Sequence, residues 1–312
     1  MSCTVGVDMG GTRIKIGLVE NGKILHATGI DVHSALLEDH LIDLQDAIQS
    51  LLCHTPRPLQ GIGIAFPSIV DSVNMKILSR YTKYTDAHEM DLSAWAKRNF
   101  GVPLILENDA RAALIGEWQY GAGMNCNDLV LITLGTGVGS AVILDGKPLR
   151  GRHYFAGNLG GHMTINFDGN ICNCGNIGCL ESEASTWALA RKFGTGSSLT
   201  GLKSFPPSKL DFEYIFASAK SGDALARGIR DECLKAWSLS VINLIHAYDP
   251  EKVVIGGGIM KSKDEILPFI REMVTKHSWC KNGDIKIVSA GQIEYAGILG
   301  MAYLVKALKN NR

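Results

Sequence analysis

Val7-Asp8-Met9-Gly10-Gly11-Thr12-Arg13, followed by the apolar run Ile14 to Val19 and then Asn21-Gly22-Lys23, is the stretch that decides the fold. A second copy lies 124 residues on, counted from Gly11 to Gly135. It reads Thr133-Leu134-Gly135-Thr136-Gly137-Val138-Gly139, then Ala141 to Leu144, then Asp145-Gly146-Lys147. Gly-Thr and Gly-Lys recur at the same offset in both. Each copy is a strand, a small-residue turn, a second strand and a hairpin tip. Glycine lets backbone N–H groups approach phosphate oxygens, and the threonine hydroxyl adds a donor. A lone Gly-Gly-Thr also marks ordinary hairpins. The repetition, with Asp8 at the end of the first strand, points to two turns gripping one polyphosphate. Asp8 there is suited to a hydrated Mg²⁺, which keeps several waters and takes few carboxylates. Its simpler role is to cap the turn.

The chain has 312 residues, of which 46% are apolar, and Lys+Arg equals Asp+Glu at 31 each. That size fits one large or two moderate domains, and the duplication favours two. The neutral balance argues against a general nucleic-acid or anionic-membrane binder, while leaving room for a local basic pocket. Strand-like sequence begins near Thr4 without a signal-peptide layout. No uninterrupted apolar stretch reaches the roughly 18 residues of a membrane span, so a soluble, cytoplasmic protein is expected.

The pattern predicts a strand meander over 4–9, 13–19 and 23–30. A helix follows over 36–53, with Leu37, Leu41, Leu44, Ile48 and Leu52 on one face. Further on come a buried strand over 61–66 and a helix over 92–100, then a strand over 104–106 and a helix over 108–120, with 121–123 as a hinge. The second half opens with strands over 129–134 and 138–144 and a loop-rich stretch over 151–179. Helices over 183–192, 211–220 and 223–247 come next, then a strand over 253–255 and a helix over 264–277. A strand over 285–289 and a helix over 296–309 complete the chain. Ser197 to Ser208 reads as a flexible surface loop. A meander opening each half is not the strand–helix alternation of a doubly wound dinucleotide fold.

Two other nucleotide motifs fail on inspection. Gly17 to Lys23 has Walker A spacing, but Ile24 stands where a Ser or Thr hydroxyl is needed, and the run is a strand. Gly135-x-Gly137 lacks the third glycine of a dinucleotide fingerprint, since Ser140 occupies that place.

Glu107-Asn108-Asp109 falls where a strand gives way to a helix. Asn and Asp are favoured N-caps; equally, Asp109 can be a general base for a substrate hydroxyl oriented by Asn108. Three of the eight cysteines crowd into Cys172-x-Cys174-Gly175-x-x-Gly178-Cys179, and the others are scattered. In a reducing compartment such crowding suggests a metal site. His162, ten residues upstream of Cys172, completes a tetrahedral Cys₃His set suited to structural zinc. Zinc would fix the loop carrying Glu181, a carboxylate able to bond a polyol, or simply a solvated acid at a helix start. Gly256-Gly257-Gly258 ends a strand, where bare backbone lets a flat ring or ribose lie close or merely forms a turn.

Together these residues resemble the ROK family of sugar kinases, in the actin/hexokinase/Hsp70-like superfamily. The resemblance rests on Asp8 to Thr12, Glu107-Asn108-Asp109-Ala110, Leu134 to Gly139, Gly161-His162, the cysteine–glycine block through Glu181, and Gly256 to Gly258. It implies an α/β chain of two ribonuclease-H-like (actin-like ATPase) domains with a central interdomain cleft. The smaller would comprise residues 1–119 and about 297–312, the larger residues 120–296 with the zinc loop. It implies ATP-dependent phosphorylation of a hexose or hexose derivative, with Mg²⁺ and structural zinc. Asp109 would be the base. Asp8, Gly10, Gly11, Thr12, Arg13, Gly135, Thr136, Gly137 and Gly256 to Gly258 would bind ATP. Asn108, Asp109, His162 and Glu181 would hold the sugar, His162 using one ring nitrogen for sugar and the other for zinc. A homo-oligomer, usually a dimer, is expected, with no nucleic-acid or membrane partner.

Some family members are repressors with an N-terminal helix-turn-helix. The first phosphate strand begins almost at once here, so a kinase is expected over a repressor; the altered Leu159 region keeps a non-catalytic sugar-binding regulator as the alternative. Departures fall on the sugar side. The family's Glu-x-Gly-His glutamate counts back to Leu159, with Asn158 as a substitute if the loop shifts. The usual Pro-Gly reads Pro67-Ser68. The Pro-Asn-Leu-x-x-Trp stretch is missing, and Arg80-Tyr81-Thr82-Lys83-Tyr84 lies in its region. An unusual sugar is expected.

Overall fold

Two five-stranded sheets repeat one topology. The computed structural model describes residues 2–193, 210–279, 285–292 and 294–310; the surface loop expected at Ser197 to Ser208 lies outside them. In chain order the first elements are β1 (Cys3–Met9), β2 (Arg13–Glu20), β3 (Lys23–Asp31), α1 (Glu38–Leu52), β4 (Leu59–Phe66), β5 (Val70–Asp71) and β6 (Lys76–Ile77). Next are α2 (Leu92–Phe100), β7 (Leu104–Asn108), α3 (Asp109–Tyr120), β8 (Leu129–Leu134), β9 (Val138–Leu144) and β10 (Lys147–Pro148). Then come α4 (Leu180–Ala184), α5 (Thr186–Phe193), α6 (Phe212–Lys220) and α7 (Ala224–Tyr248). β11 (Lys252–Gly256), α8 (Lys263–His277), β12 (Lys286–Ser289) and α9 (Ala296–Asn310) finish the chain.

The sheet orders are β3-β2-β1-β4-β7 and β10-β9-β8-β11-β12. Each starts as an antiparallel meander and continues through parallel strands, β1 with β4 and β7, β8 with β11 and β12. The hairpin tips behave alike. Asn21 and Gly22, like Asp145 and Gly146, have positive φ at both positions, as a two-residue hairpin turn of the I′ type requires.

The chain divides into two compact units, residues 1–125 with 148–156 and 291–312, and residues 126–147 with 157–290. In the first unit the sheet alternates with period two. Val5, Val7, Ile14, Ile16, Leu18, Ile62 and Ile64 pack with Leu44 and Ile48 of α1 and Trp95 of α2 in one core. The opposite face carries Gly6, Gly17, Gly61 and Gly63, and α9 lies on it. Ile298 sits over Gly6 and Gly17, Met301 over Gly63, and Val305 over Gly61. The spacing of 298, 301 and 305 is one helical stripe. Helices α3 and α9 also approach closely: a Cβ on Gly116 would collide with the Ala296 carbonyl, and one on Gly300 with the Ala112 carbonyl.

In the second unit β8 and β11 are almost fully buried. The 25-residue α7 inserts Trp237, Val241, Leu244 and Ile245, with the Trp237 indole N–H donating to the Ala184 carbonyl at 2.9 Å. The single helix expected over 183–192 is two helices, because Ser185 is extended (φ −101°, ψ 170°). That break frees the first amides of α5 for the second glycine turn.

Replacing Gly300 by alanine should lower stability by about 1–3 kcal/mol, the usual cost of overpacking against atoms that cannot yield. Urea denaturation measures it, and an unchanged midpoint would show that the α3–α9 contact is looser than described.

Candidate active site

Strand register places the candidate residues of the first unit. Asp8 pairs with Ala65, and Ala65 with Glu107. Because β1, β4 and β7 are parallel, the Gly10 to Thr12 turn, Ser68 and the Asn108–Asp109 pair all emerge from the carboxyl end of one sheet. Ligands of open α/β sheets gather at that end.

Asn108 fulfils the capping role. Its side-chain oxygen accepts from the Arg111 amide at 3.1 Å, and its amide group donates to the Ser68 carbonyl at 3.1 Å and to Asp109 Oδ1 at 2.9 Å. Asp109 Oδ1 also accepts from the Ala110 amide at 2.8 Å. Burial, and then the negative charge of Asp8, push Asp109 up to about 7, despite those hydrogen bonds. Asp8 is raised for the same first reason, with Lys15 opposing. Two carboxylates therefore share a protein-lined region, which makes one of them a strong proton acceptor near neutral pH.

The turn itself is open. Gly10 N–H bonds the Asp8 carbonyl at 3.1 Å, but no described backbone carbonyl takes the amides of Gly11 or Thr12. A Cβ on Gly10 would strike the Arg13 carbonyl. Arg13 lays its guanidinium over Gly29 of β3. The Arg80 to Tyr84 stretch lies against this turn: the Tyr84 hydroxyl donates to the Gly10 carbonyl at 2.7 Å, and Tyr81 and Lys83 flank Gly11.

In the second unit Thr133 pairs with Gly256, so the Gly135 to Gly137 turn and Gly256 to Gly258 also leave one sheet end together. Gly257 has φ 92° and ψ 168°, and a Cβ there would strike the Leu134 carbonyl. Only glycine suits such a conformation. Helix α5 braces the second turn: Thr186 N–H and hydroxyl both donate to the Gly135 carbonyl at 3.0 Å, and Trp187 N–H to the Thr136 carbonyl at 3.3 Å. Among the described backbone carbonyls none takes the Thr136 or Gly137 amide. Both turns thus present two consecutive unpledged amides, the arrangement that binds anions.

Glu181 reaches this turn. Its carboxylate accepts from the Val138 amide at 2.8 Å and from the Trp187 indole at 3.2 Å. Asn158 is buried with its side-chain oxygen unpartnered among the described residues. Leu159, where the family pattern places glutamate, is 37% exposed. Gly160 and Gly161 form a 3₁₀ turn into His162, anchored by Ser140, whose hydroxyl donates to the Gly157 carbonyl and accepts from the Gly160 amide, both at 2.7 Å.

The ligand atoms of His162, Cys172, Cys174 and Cys179 all lie within 4.8 Å of one another. Cys174 and Cys179 Sγ are 3.7 Å apart, and Cys172 Sγ is 3.6 Å from His162 Nδ1. Thiolates at ~2.3 Å from a tetrahedral zinc sit about 3.8 Å from each other, so the donor set fits that ion. Nδ1 faces the sulfurs, leaving Nε2 on the ring's other side.

Two buried networks had no local signature. Glu107 accepts from Arg111 Nη1 at 2.8 Å and from Arg150 Nη2 at 2.6 Å and Nε at 3.0 Å, and Arg111 also donates to the Tyr154 carbonyl at 3.1 Å. Residues 148–156 are thereby tied to the start of α3 beside Asp109. Glu117, fully buried, accepts from the amides of Ala122, Gly291 and Gln292 at 2.7, 2.9 and 2.6 Å. It fastens both chain segments near the expected hinge.

The fold is of the ribonuclease-H-like, actin-like ATPase class, with a glycine turn at the head of each sheet. The profile of the ROK family matches residues 4–308, and the chain belongs to that family. A glucokinase from Thermotoga maritima is 35% identical over 311 residues, spanning 97% of this chain and 96% of that protein. The crystal structure of a ROK family glucokinase from Streptomyces griseus in complex with glucose and AMPPNP has a TM-score of 0.80 at 28% identity, covering 98% of this chain and 100% of that one. A xylose repressor from Bacillus spizizenii is 28% identical over 271 residues, 86% of this chain and 67% of the repressor. Among the described residues no helix is long and apolar enough to cross a membrane.

Two outcomes follow. Elemental analysis should find about one zinc per chain, as four ligands for one ion require, and Cys174→Ser should lose it together with stability; a metal-free, fully stable preparation would contradict this. The second concerns Asp109. Its proton is held more tightly in the fold than in the unfolded chain, so its contribution to stability falls as pH rises from about 4, the unfolded value, through the folded value of about 7. Asp109→Asn should therefore be more stable than the native chain at pH 8, with the gap closing below pH 5. A constant gap in thermal melts would place the carboxylate in an ordinary setting.

Proposed function

We infer that the chain is an ATP-dependent sugar kinase, transferring the γ-phosphoryl group of ATP to a hydroxyl of a hexose or hexose derivative. The observation that carries this reading is geometric: the Asp109 carboxylate stands at the same sheet end as Asp8 and the open Gly11–Thr12 amides. In the reaction the hydroxyl oxygen attacks the γ-phosphorus, the bond to the β-phosphate oxygen breaks, ADP leaves, and the hydroxyl proton passes to Asp109. The amides of both turns bind phosphate oxygens and spread the charge that develops there. Asp8 would hold a hydrated Mg²⁺, which lowers the negative charge of the phosphates. Gly256 to Gly258 leave room for the nucleoside.

On the sugar side Asn108 fixes the Ser68 loop and Asp109. His162 Nε2 and Glu181 bond hydroxyls, as does the unpartnered oxygen of Asn158. Zinc would be held by His162, Cys172, Cys174 and Cys179 and would rigidify the loop leading to Glu181. Asn158 supports an altered sugar preference, because a neutral amide both accepts and donates. The exposed Leu159 favours a second reading, a sugar-binding regulator without useful catalysis.

An ADP-release assay across a sugar panel, including N-acetylated hexosamines, ketoses and less common aldoses, separates the two. The kinase predicts sugar-dependent ADP release, and Asp109→Asn should lower kcat by about 100-fold or more with sugar affinity roughly kept. Sugar binding with no ADP release would establish the regulator. Near-native turnover in the variant would remove Asp109 from the base role.

A further inference from the structure

We propose that His33, His40 and Asp43 form a second metal site, chemically unlike the cysteine cluster, which takes a borderline transition-metal dication such as Zn²⁺, Co²⁺ or Cu²⁺. One nitrogen of each imidazole and a carboxylate oxygen of Asp43 lie within 4.8 Å of one another. His40 and Asp43 stand three residues apart on α1 and so share a face. His33 approaches from the loop before the helix. Its Nδ1 is 3.9 Å from Asp43 Oδ2, and its ring meets the His40 ring edge-on at 4.4 Å.

The state of His40 points to a ligand. The residue is fully buried, and its Nε2 lies 3.1 Å from the Ser34 carbonyl, which only a donor N–H can satisfy. In the neutral ring Nδ1 is then a lone-pair acceptor, and it has no partner among the described residues. A buried acceptor without a donor is costly, and a dication is the partner that its two neighbours could share. A metal-ligating histidine typically gives its other N–H to a carbonyl in this way. The surrounding charge is negative: Glu38 and Asp39 occupy the first turn of α1, and Asp86 accepts from the Leu37 and Glu38 amides that begin it. Two imidazoles and one carboxylate leave a coordination position open and select a borderline cation over Mg²⁺ or Ca²⁺.

The site lies one aromatic ring behind the first glycine turn. The His40 ring packs edge-on against Tyr84 at 5.8 Å, and the Tyr84 hydroxyl holds the Gly10 carbonyl.

The test is a Co²⁺ titration of the full chain after saturation with Zn²⁺ at the cysteine cluster and removal of loosely held metal. A nitrogen–oxygen site gives weak visible bands with no thiolate charge-transfer band. The native chain should bind one further Co²⁺ with such a spectrum, about one per three-ligand site. His33→Ala and Asp43→Asn, both at positions open to solvent, should each weaken that binding by about tenfold or more, while His54→Ala should not. Absence of the additional Co²⁺ would overturn the proposal. So would a thiolate-type spectrum, or equal binding by His33→Ala and the native chain.

Discussion

Two half-buried carboxylates at one end of one sheet, each drawn away from water, are the constraint on which the rest of the site depends. Strand register alone places Asp8 two strands from Glu107, and Asp109 two residues beyond. Among the described residues no cationic side chain forms an ion pair with Asp8 or Asp109. Arg111 and Arg150 are committed to Glu107, and Arg13 lies over Gly29. Burial and mutual repulsion then raise Asp109, and the cost is relieved by a proton or by a ligand cation. On the proposed reading, a general base near neutrality and a place for hydrated Mg²⁺ would be two consequences of one electrostatic arrangement.

The glycine turns complement it. They carry no charge, yet each offers consecutive amides that the fold leaves unclaimed. In the second unit the carbonyls of the turn are occupied by the first residues of α5, which orients the peptide dipoles with N–H groups outward. The extended Ser185 makes that possible, so a break in a helix braces the second glycine turn. The cysteine–histidine set, which would hold zinc, lies just before the helix that carries Glu181 in the chain.

Much of this was legible in the sequence because its signals are local. The duplicated strand–turn–strand units, the Asn-Gly and Asp-Gly tips, the period-two strands and the stripe of α1 reveal themselves within a dozen residues. The cysteine spacing and His162 are almost as close. What escaped reading depends on distant pairing. Arg150 bonds Glu107 across 43 positions, and Glu117 bonds Gly291 across 174. The glycines of β1, β2 and β4 look like weak strand residues until α9 is laid on them. The unpartnered oxygen of Asn158 and the Tyr84 bond to Gly10 likewise follow from packing. The helix break at Ser185 was hidden because serine at a helix interior is unremarkable.

The most direct measurement is a pH titration of the Asp109 carboxyl carbon by isotope-edited NMR, in the native chain and in Asp8→Asn. The account predicts titration near pH 7 in the native chain. It also predicts a clear downward shift in the variant, stopping above the ordinary carboxylate value because burial remains. Titration at an ordinary carboxylate pH in the native chain, or no response to the loss of Asp8, would contradict the idea that shared burial makes Asp109 the base.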